Sequence, residues 1–364
     1  MKDPNEKQSR IPAYIRLYEQ LRSDVIRGAY PFGSRLPSKR VLAAETGFSV
    51  ITVSHALELL CDEGYAEAKE RSGCFVIFQK EDFPDAAPPV TGIRRRSAPM
   101  RSEETFPFSV LARAMRRVLL DYGENLLTRA PNAGCEELRA EICNYLARSR
   151  SIYISPQQVI VGSGAEYLYG LIAQLVGRER TIAIEDPSYG KIRMVYSAMG
   201  IHCDPLPLRP DGIDSADLWK TGASVLHTTP FSSFPSGISA SGPKKHEYLQ
   251  WAEKRGGLII EDNYDSELAV ASKAEDSLFR MSGGRNVIYI NTFSKTIAPS
   301  MRIGYMILPE ERIGQFEERL GFYSCTVPVF DQYVLAELLR SGDFERHVNQ
   351  LRRRRRKALE SQTR

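Results

Sequence analysis

Apolar positions in this chain keep two different rhythms. Over the first 78 residues they recur with the helical period. Tyr14, Leu17, Tyr18, Leu21 and Val25 fall at i, i+3, i+4, i+7 and i+11, one face of a helix that Gly28 ends. Pro37 and Ser38 open a second helix, with Ser38 as its N-cap, running through Val41-Leu42-Ala43 to Gly47. Ser49 caps a third, whose core face is Val53, Ala56, Leu57 and Leu60 and which Gly64 closes. Two strand-like pieces follow, Tyr65–Ala68 and Cys74–Phe78, joined by a turn at Arg71-Ser72-Gly73. Helix, helix, tight turn, helix and hairpin is the order of a winged helix-turn-helix.

Residues 79–104 break that rhythm. They carry proline, charge and few aliphatics, including Pro84, Pro88-Pro89 and Arg94-Arg95-Arg96, which is linker composition. From about residue 105 to 364, short β-rich apolar runs alternate with longer helical patterns. That alternation predicts an α/β domain with a mainly parallel sheet. No internal repeat is visible.

Composition adds little but excludes several classes. The chain has 364 residues, 42% of them hydrophobic and 26% charged, which suits a globular protein of more than one domain. No apolar run approaches the ~20 residues a membrane helix needs, and the N-terminus lacks the apolar core of a secretory signal, so a cytoplasmic location with no membrane partner is the expectation. The six cysteines show no C-x-x-C pair and the five histidines no H-x-x-x-H pair, so neither a disulfide scaffold nor a metal site is expected. A net charge of +4, from 49 basic and 45 acidic residues, leaves nucleic-acid binding to the local arrangement.

Locally, the arrangement favours double-stranded DNA. The third helix would enter the major groove with Ser49, Ile51, Thr52 and His55 near base edges. Ser38 starts the helix before it, Arg35, Lys39, Arg40 and Arg71 would meet phosphates, and Gly73 shapes the hairpin tip. The alternative is a small helical docking domain whose charges are simply solvated; the hairpin with its basic, Gly-containing tip favours DNA over it. These residues resemble the GntR family of bacterial regulators, through Gly33-Ser34-Arg35-Leu36-Pro37-Ser38-Lys39-Arg40-Val41-Leu42-Ala43, Gly47–Leu57 and Glu63-Gly64-Tyr65. Where that family has an arginine and then a polar residue after the capping serine, this chain has Val50 and Ile51, which alters the expected operator.

The second zone carries four pieces of chemistry. The strand Val159-Ile160-Val161 leads through Gly162-Ser163-Gly164-Ala165 into a helix, a turn whose free N–H groups and helix dipole favour a dianion. The strand Leu258-Ile259-Ile260 ends in Glu261-Asp262-Asn263-Tyr264-Asp265, an acid placed to meet a bound cation beyond a strand's carboxyl end. The strand Val287–Asn291 is followed by Thr292-Phe293-Ser294-Lys295, then Arg302 and a further strand, Ile303–Leu308. The strand Thr181–Ile184 leads to Tyr189, an aromatic that could be core or could stack on a flat ring. Taken singly, each also reads as an ordinary turn or surface loop.

Together, Glu261–Glu267 and Thr292–Tyr305 resemble fold-type I, aspartate-aminotransferase-like proteins, and within them the MocR/GabR branch of GntR regulators, from about Phe106 to the C-terminus. The resemblance implies pyridoxal 5'-phosphate as cofactor. Lys295 would form the Schiff base, its amine needing a cationic, partly desolvated setting to lower its pKa. Asp262 would pair with the pyridine nitrogen and Tyr264 would donate to the ring's phenolic oxygen. Ser163, Gly164, Ala165, Thr292 and Arg302 would hold the phosphate and Tyr189 would stack on the ring. Lys191 stands where an arginine often takes the substrate carboxylate. A homodimer with cofactor sites at the subunit interface is implied, with the winged helix lying over the partner's large domain.

Three departures bear on function. Ser232-Ser233 stands where the family has His-Gln, and Arg129 replaces a tyrosine that often reaches the partner subunit's phosphate. The chain ends at Arg364, after the basic run Arg352–Lys357, which reads as the solvated face of a long helix around 343–360. The family pattern continues further, into a small subdomain that supplies the arginine gripping the substrate's α-carboxylate, so a C-terminally incomplete domain is expected. The reading is a transcriptional regulator sensing the cofactor or a small amine or amino-acid effector. Its alternatives are a pyridoxal phosphate-dependent aminotransferase with a vestigial DNA-binding domain, and a cofactor-free remnant that only binds DNA or dimerises.

Overall fold

Serine hydroxyls start the helices of the first unit where the pattern anticipates them. In the computed structural model, which describes residues 12–69, 72–79, 106–269 and 276–362, helix α1 spans Ala13–Ile26, α2 Lys39–Thr46 and α3 Val50–Asp62. The Ser38 hydroxyl accepts from the Val41 amide and that of Ser49 from the Thr52 amide. Each satisfies one of the amides that a helix start leaves without an intrahelical acceptor. Gly47 ends α2 in the left-handed region at φ 74°, a conformation that a side chain would strain. The faces anticipated from sequence, Leu17, Tyr18, Leu21 and Val25 on α1 and Val53, Ala56, Leu57 and Leu60 on α3, are buried together.

The hairpin lies slightly off its expected position. Strand β1 is Ala66–Lys69 and β2 is Gly73–Val76, paired antiparallel with Ala66 opposite Val76. Tyr65 and Phe78 fall just outside the ladder, where the Ile77 amide still donates to the Tyr65 carbonyl and the two rings pack with centroids 5.5 Å apart. Arg35 pairs with Phe75 in an isolated bridge, which binds the segment before α2 to the wing.

Contacts divide the described residues into two compact units, one up to residue 79 and one from residue 106. The second is built on eight strands: β3 (Val159–Gly162), β4 (Ile182–Asp186), β5 (Cys203–Arg209), β6 (Gly212–Ile213), β7 (Val225–Thr228), β8 (Leu258–Asp262), β9 (Val287–Thr292) and β10 (Gly304–Ile307). Their order is β3-β10-β9-β8-β7-β4-β5-β6. The run β9-β8-β7-β4-β5 is parallel, while β10 is antiparallel to both neighbours and β6 to β5. The strands read as nearly continuous apolar runs because both faces are covered. Val287 and Tyr289 enter one core cluster, Ile288 and Ile290 the other.

Helices α4 (Phe108–Tyr122), α5 (Glu136–Arg150), α6 (Ala165–Val176), α7 (Gly190–Ala198), α8 (Ser215–Lys220), α9 (Gly242–Arg255), α10 (Leu278–Met281), α11 (Ile313–Leu320), α12 (Val329–Arg340) and α13 (Asp343–Gln362) complete the unit. Helices α5, α9 and α12 supply side chains to the first cluster and α6, α7 and α11 to the second. Because β3 and β9 both run opposite to β10, the carboxyl ends of β3, β4, β7, β8 and β9 share one edge of the sheet. In a sheet of this kind that edge is where ligands bind.

Ile290, fully buried on β9, holds the strand from which the Lys295 loop springs. Ile290→Ala is expected to lower the unfolding free energy by about 2–5 kcal/mol in urea titration. A loss of about 0.5 kcal/mol, the scale of a surface substitution, would contradict this packing.

Candidate functional site

The turn from β3 into α6 brings backbone and cation together. Gly164 has φ 100°, and a Cβ there would lie 2.8 Å from the Arg302 guanidinium. Only a glycine lets that guanidinium lie against the start of α6. Arg302 is itself held at φ 43°, an uncommon conformation for a residue with a side chain and one that concentrates at functional sites. Ala165 and Arg302 line a cavity of about 260 Å³, as do Tyr189, Asp262, Tyr264, Thr292 and Lys295. Ser163 sits half-buried in the turn beside it. The structure therefore places seven of the sequence-designated residues of the second unit around one cavity.

Asp262, at the end of β8, is buried to 2% exposure. Its Oδ2 accepts from the Tyr169 hydroxyl on α6, and its Oδ1 accepts from the Tyr264 amide at 3.2 Å. His227 Nε2, buried and without a hydrogen-bond partner, stands 3.7 Å from Asp262 Oδ2. The Tyr196 hydroxyl is 2.7 Å from the other ring nitrogen, His227 Nδ1. Burial, then the Asp262 charge, raise the Tyr169 phenol well above its ordinary pKa, so it remains a donor to Asp262.

Lys295 is half-exposed. Its ammonium lies 4.1 Å from the Tyr264 ring centroid and 3.5 Å from Asp265 Oδ1. Tyr264 donates its hydroxyl to the Ser232 carbonyl at 3.1 Å. Burial, with the nearby Asp265 and Asp262 carboxylates, pushes the Tyr264 phenol up to about 12, so it is a hydrogen-bond donor at neutral pH. Ser233 does not face the cavity residues: its hydroxyl donates to buried Glu185, which also accepts from the hydroxyls of Thr228 and Thr229. Tyr189 caps the start of α7, half-buried and edge-on to Phe234.

Four participants were given no role from the sequence. Tyr169 reads as the apolar face of a helix, and His227 as an interior strand residue. Asp265 reads as part of an acidic turn. Glu166 reads as an ordinary helix-start acid, yet its carboxylate takes both Arg302 (2.6 Å) and Lys191 (2.7 Å). Lys191, expected to face a substrate carboxylate, is paired here with Glu166, which stands in the first turn of α6. Burial raises the Glu166 pKa, but the hydrogen bonds from Lys191 and Arg302 outweigh it and hold the group down at about 2. The basic run is only in part a solvated face. Arg353, Arg356 and Lys357 are exposed, whereas Arg352 donates to the Glu267 carbonyl and Arg355 lies 3.6 Å from Asp265 Oδ2.

In the first unit, Ser38, Lys39 and Arg40 start α2, Ser49 and Thr52 start α3, and Lys39 Nζ donates to Ser54 Oγ at 2.8 Å, tying the two helices. Lys39, Arg40 and Arg35 are exposed, and a Cβ at Gly73 would lie 2.8 Å from Arg35 Nε. His55 is exposed and edge-on to Tyr14. Ile51 is 70% exposed and Val50 48%, so the apolar pair in the first turn of α3 points outward. Arg71 lies outside the described residues. No helix of the described residues is long and apolar enough to cross a membrane, and no cluster of metal-ligating side chains occurs among them.

Comparison with known proteins agrees with this architecture. Residues 99–363 match the model of aminotransferase class I and II, and residues 13–76 that of the bacterial regulatory proteins of the gntR family. The chain belongs to the aminotransferase class I and II family, in the group whose members carry a GntR-type helix-turn-helix ahead of that domain. It is similar to the uncharacterized HTH-type transcriptional regulator YdeL of Bacillus subtilis, 33% identical over 94% of this chain and 76% of that protein. It is also similar to the pyridoxine biosynthesis regulator PdxR of Corynebacterium glutamicum (28%; 96% and 77%) and the probable rhizopine catabolism regulatory protein MocR of Rhizobium meliloti (27%; 96% and 76%). Among solved structures, an archaeal alanine:glyoxylate aminotransferase superposes with TM-score 0.62 at 23% identity, over 68% of this chain and 63% of that one, a likeness of fold. The α-aminoadipate aminotransferase LysN of Thermus thermophilus gives 0.61 at 25%, over 71% and 66%.

The depressed Glu166 pKa fixes the sign of a pH effect. A carboxyl lowered on folding stabilises fully above its ordinary value of 4.5 and loses that contribution as pH falls through its folded value of about 2. Glu166→Gln is therefore expected to lower stability by about 1–2 kcal/mol at pH 7. The gap to wild type should narrow as pH falls from about 5 toward 3; a gap that widens on acidification would contradict the ion-pair geometry.

Proposed function

We propose that this protein is a DNA-binding transcriptional regulator whose aminotransferase-like domain binds pyridoxal 5'-phosphate and senses that compound or a small amine or amino-acid effector. The observation that carries the reading is a coincidence on one chain. A helix-turn-helix presents the open first turn of α3, and in the other unit Lys295, buried Asp262 and the Arg302–Gly164 cradle face a single cavity. The printed names of PdxR and MocR, both regulators, support it.

The donor set suits that cofactor. Lys295 offers a primary amine beside Asp265, and Asp262 offers a buried carboxylate whose neighbour His227 has an unpartnered nitrogen aimed toward it. Arg302, Thr292 and the Ser163-Gly164-Ala165 turn would hold the phosphate by charge-assisted bonds and the dipole of α6. Tyr189 would cover the ring, and Tyr264 would stay protonated to donate a hydrogen bond. When bound, the group supplies an aldehyde that amines add to and a ring that withdraws electrons. Ser49, Thr52 and His55 would read base edges, with Arg35, Lys39 and Arg40 on phosphates. Two such units in a homodimer would respond to the effector through its differential affinity for two forms of the protein.

Two measurements test the halves separately. Pyridoxal phosphate added to the protein should give an absorbance band near ~420 nm, and borohydride should then fix the added mass on residue 295. Lys295→Ala should abolish both, and a band that persists in Lys295→Ala overturns the assignment. For DNA, Lys39→Ala with Arg40→Ala should weaken binding to all duplexes alike and flatten the salt dependence by about one unit of slope per lost phosphate contact. An unchanged slope removes these residues from the interface.

A further inference from the structure

We propose that Glu166 sets the protein's affinity for the phosphate ester of its cofactor by occupying the anion seat at the start of α6. This inference rests on the cofactor reading above. The seat is defined by features other than the glutamate: the left-handed Gly164, the Arg302 guanidinium lying on it, and the N-terminus of the 12-residue helix α6. The second residue of that helix is an acid, and its two carboxylate oxygens engage the cations of the seat one each, Oε2 with Arg302 and Oε1 with Lys191.

Position fixes this arrangement. Because Glu166 lies in the first turn of α6, its backbone cannot leave the seat without unwinding the helix. A phosphate dianion drawn to Arg302 must either share that guanidinium with the carboxylate or displace it. Sharing brings like charges within a few ångströms, and displacement breaks two ion pairs that are each only half-exposed. Either way the phosphate is bound less tightly than the donor set alone would allow. The consequence is selective: the cost falls on the phosphate and not on the ring, the aldehyde or Lys295. A site so built fills and empties as the concentration of the phosphate ester changes, which is what a sensor of that ester requires. A site that must retain its cofactor through turnover gains nothing from it.

The test compares two probes on the full chain. Wild type, Glu166→Gln and Glu166→Ala are titrated with pyridoxal phosphate and with pyridoxal, which lacks the phosphate, and uptake is read by absorbance and by intrinsic fluorescence. Both variants should bind pyridoxal phosphate about ten-fold or more tightly than wild type, with pyridoxal affinity unchanged. Equal or weaker binding of pyridoxal phosphate by both variants overturns the proposal while leaving the cofactor reading intact. Equal tightening toward both probes overturns it too, by showing a general opening of the cavity. If neither wild type nor variants take up pyridoxal phosphate while Lys295 is present, the cofactor reading fails and this proposal falls with it. Because Glu166, Lys191 and Arg302 all reach solvent, the glutamine variant should remain folded, and its circular dichroism shows whether it does.

Discussion

A carboxylate with no cationic side chain bonded to it lies at the base of the cavity, and the surrounding structure is organised around it. Asp262 is satisfied by a phenol, a backbone amide and the neighbourhood of an imidazole. A buried negative charge supported only by neutral donors is expensive unless a positive partner meets it. The strand order supplies the means of meeting one. Parallel strands β4, β7, β8 and β9 end together, so that Asp262, Thr292 and the loops bearing Tyr189 and Lys295 open on the same side. Helix α6, entering from β3, contributes both Tyr169, bonded to the carboxylate, and the turn at Gly164 on which Arg302 lies.

The site thus separates two charges of opposite demand. At one end lies a buried acid, and at the other a guanidinium and a lysine meet the Glu166 carboxylate at a helix start. A ring whose nitrogen is protonated and whose side arm is phosphorylated has that polarity. Lys295 lies with its ammonium over Tyr264 and near Asp265, which keeps its charge solvated in part rather than fully buried.

Much of this was legible in the sequence. The period of Leu17, Leu21 and Val25, the serine caps and the turn glycines gave the first unit, since each acts through local geometry. Asp262, Thr292 and Lys295 were singled out through the resemblance of Glu261–Glu267 and Thr292–Tyr305 to aminotransferase-like proteins, since each segment taken alone also reads as an ordinary turn. Tyr169 and His227 were not: both sit in otherwise apolar stretches, and only the tertiary fold brings the Tyr169 hydroxyl and the His227 ring to Asp262. The ion pair of Lys191 with Glu166 was not legible either, because it is set by the approach of α6 to α7, which no local pattern records. The hairpin strands differ from the expected bounds by one or two residues at their ends, where the Tyr65 and Phe78 rings pack on each other.

Asp265 stands between two cations, Lys295 on one side and Arg355 of the C-terminal helix on the other. Its charge is divided between them. One carboxylate thereby joins the loop that carries Lys295 to the C-terminal helix, through an ion pair on each side.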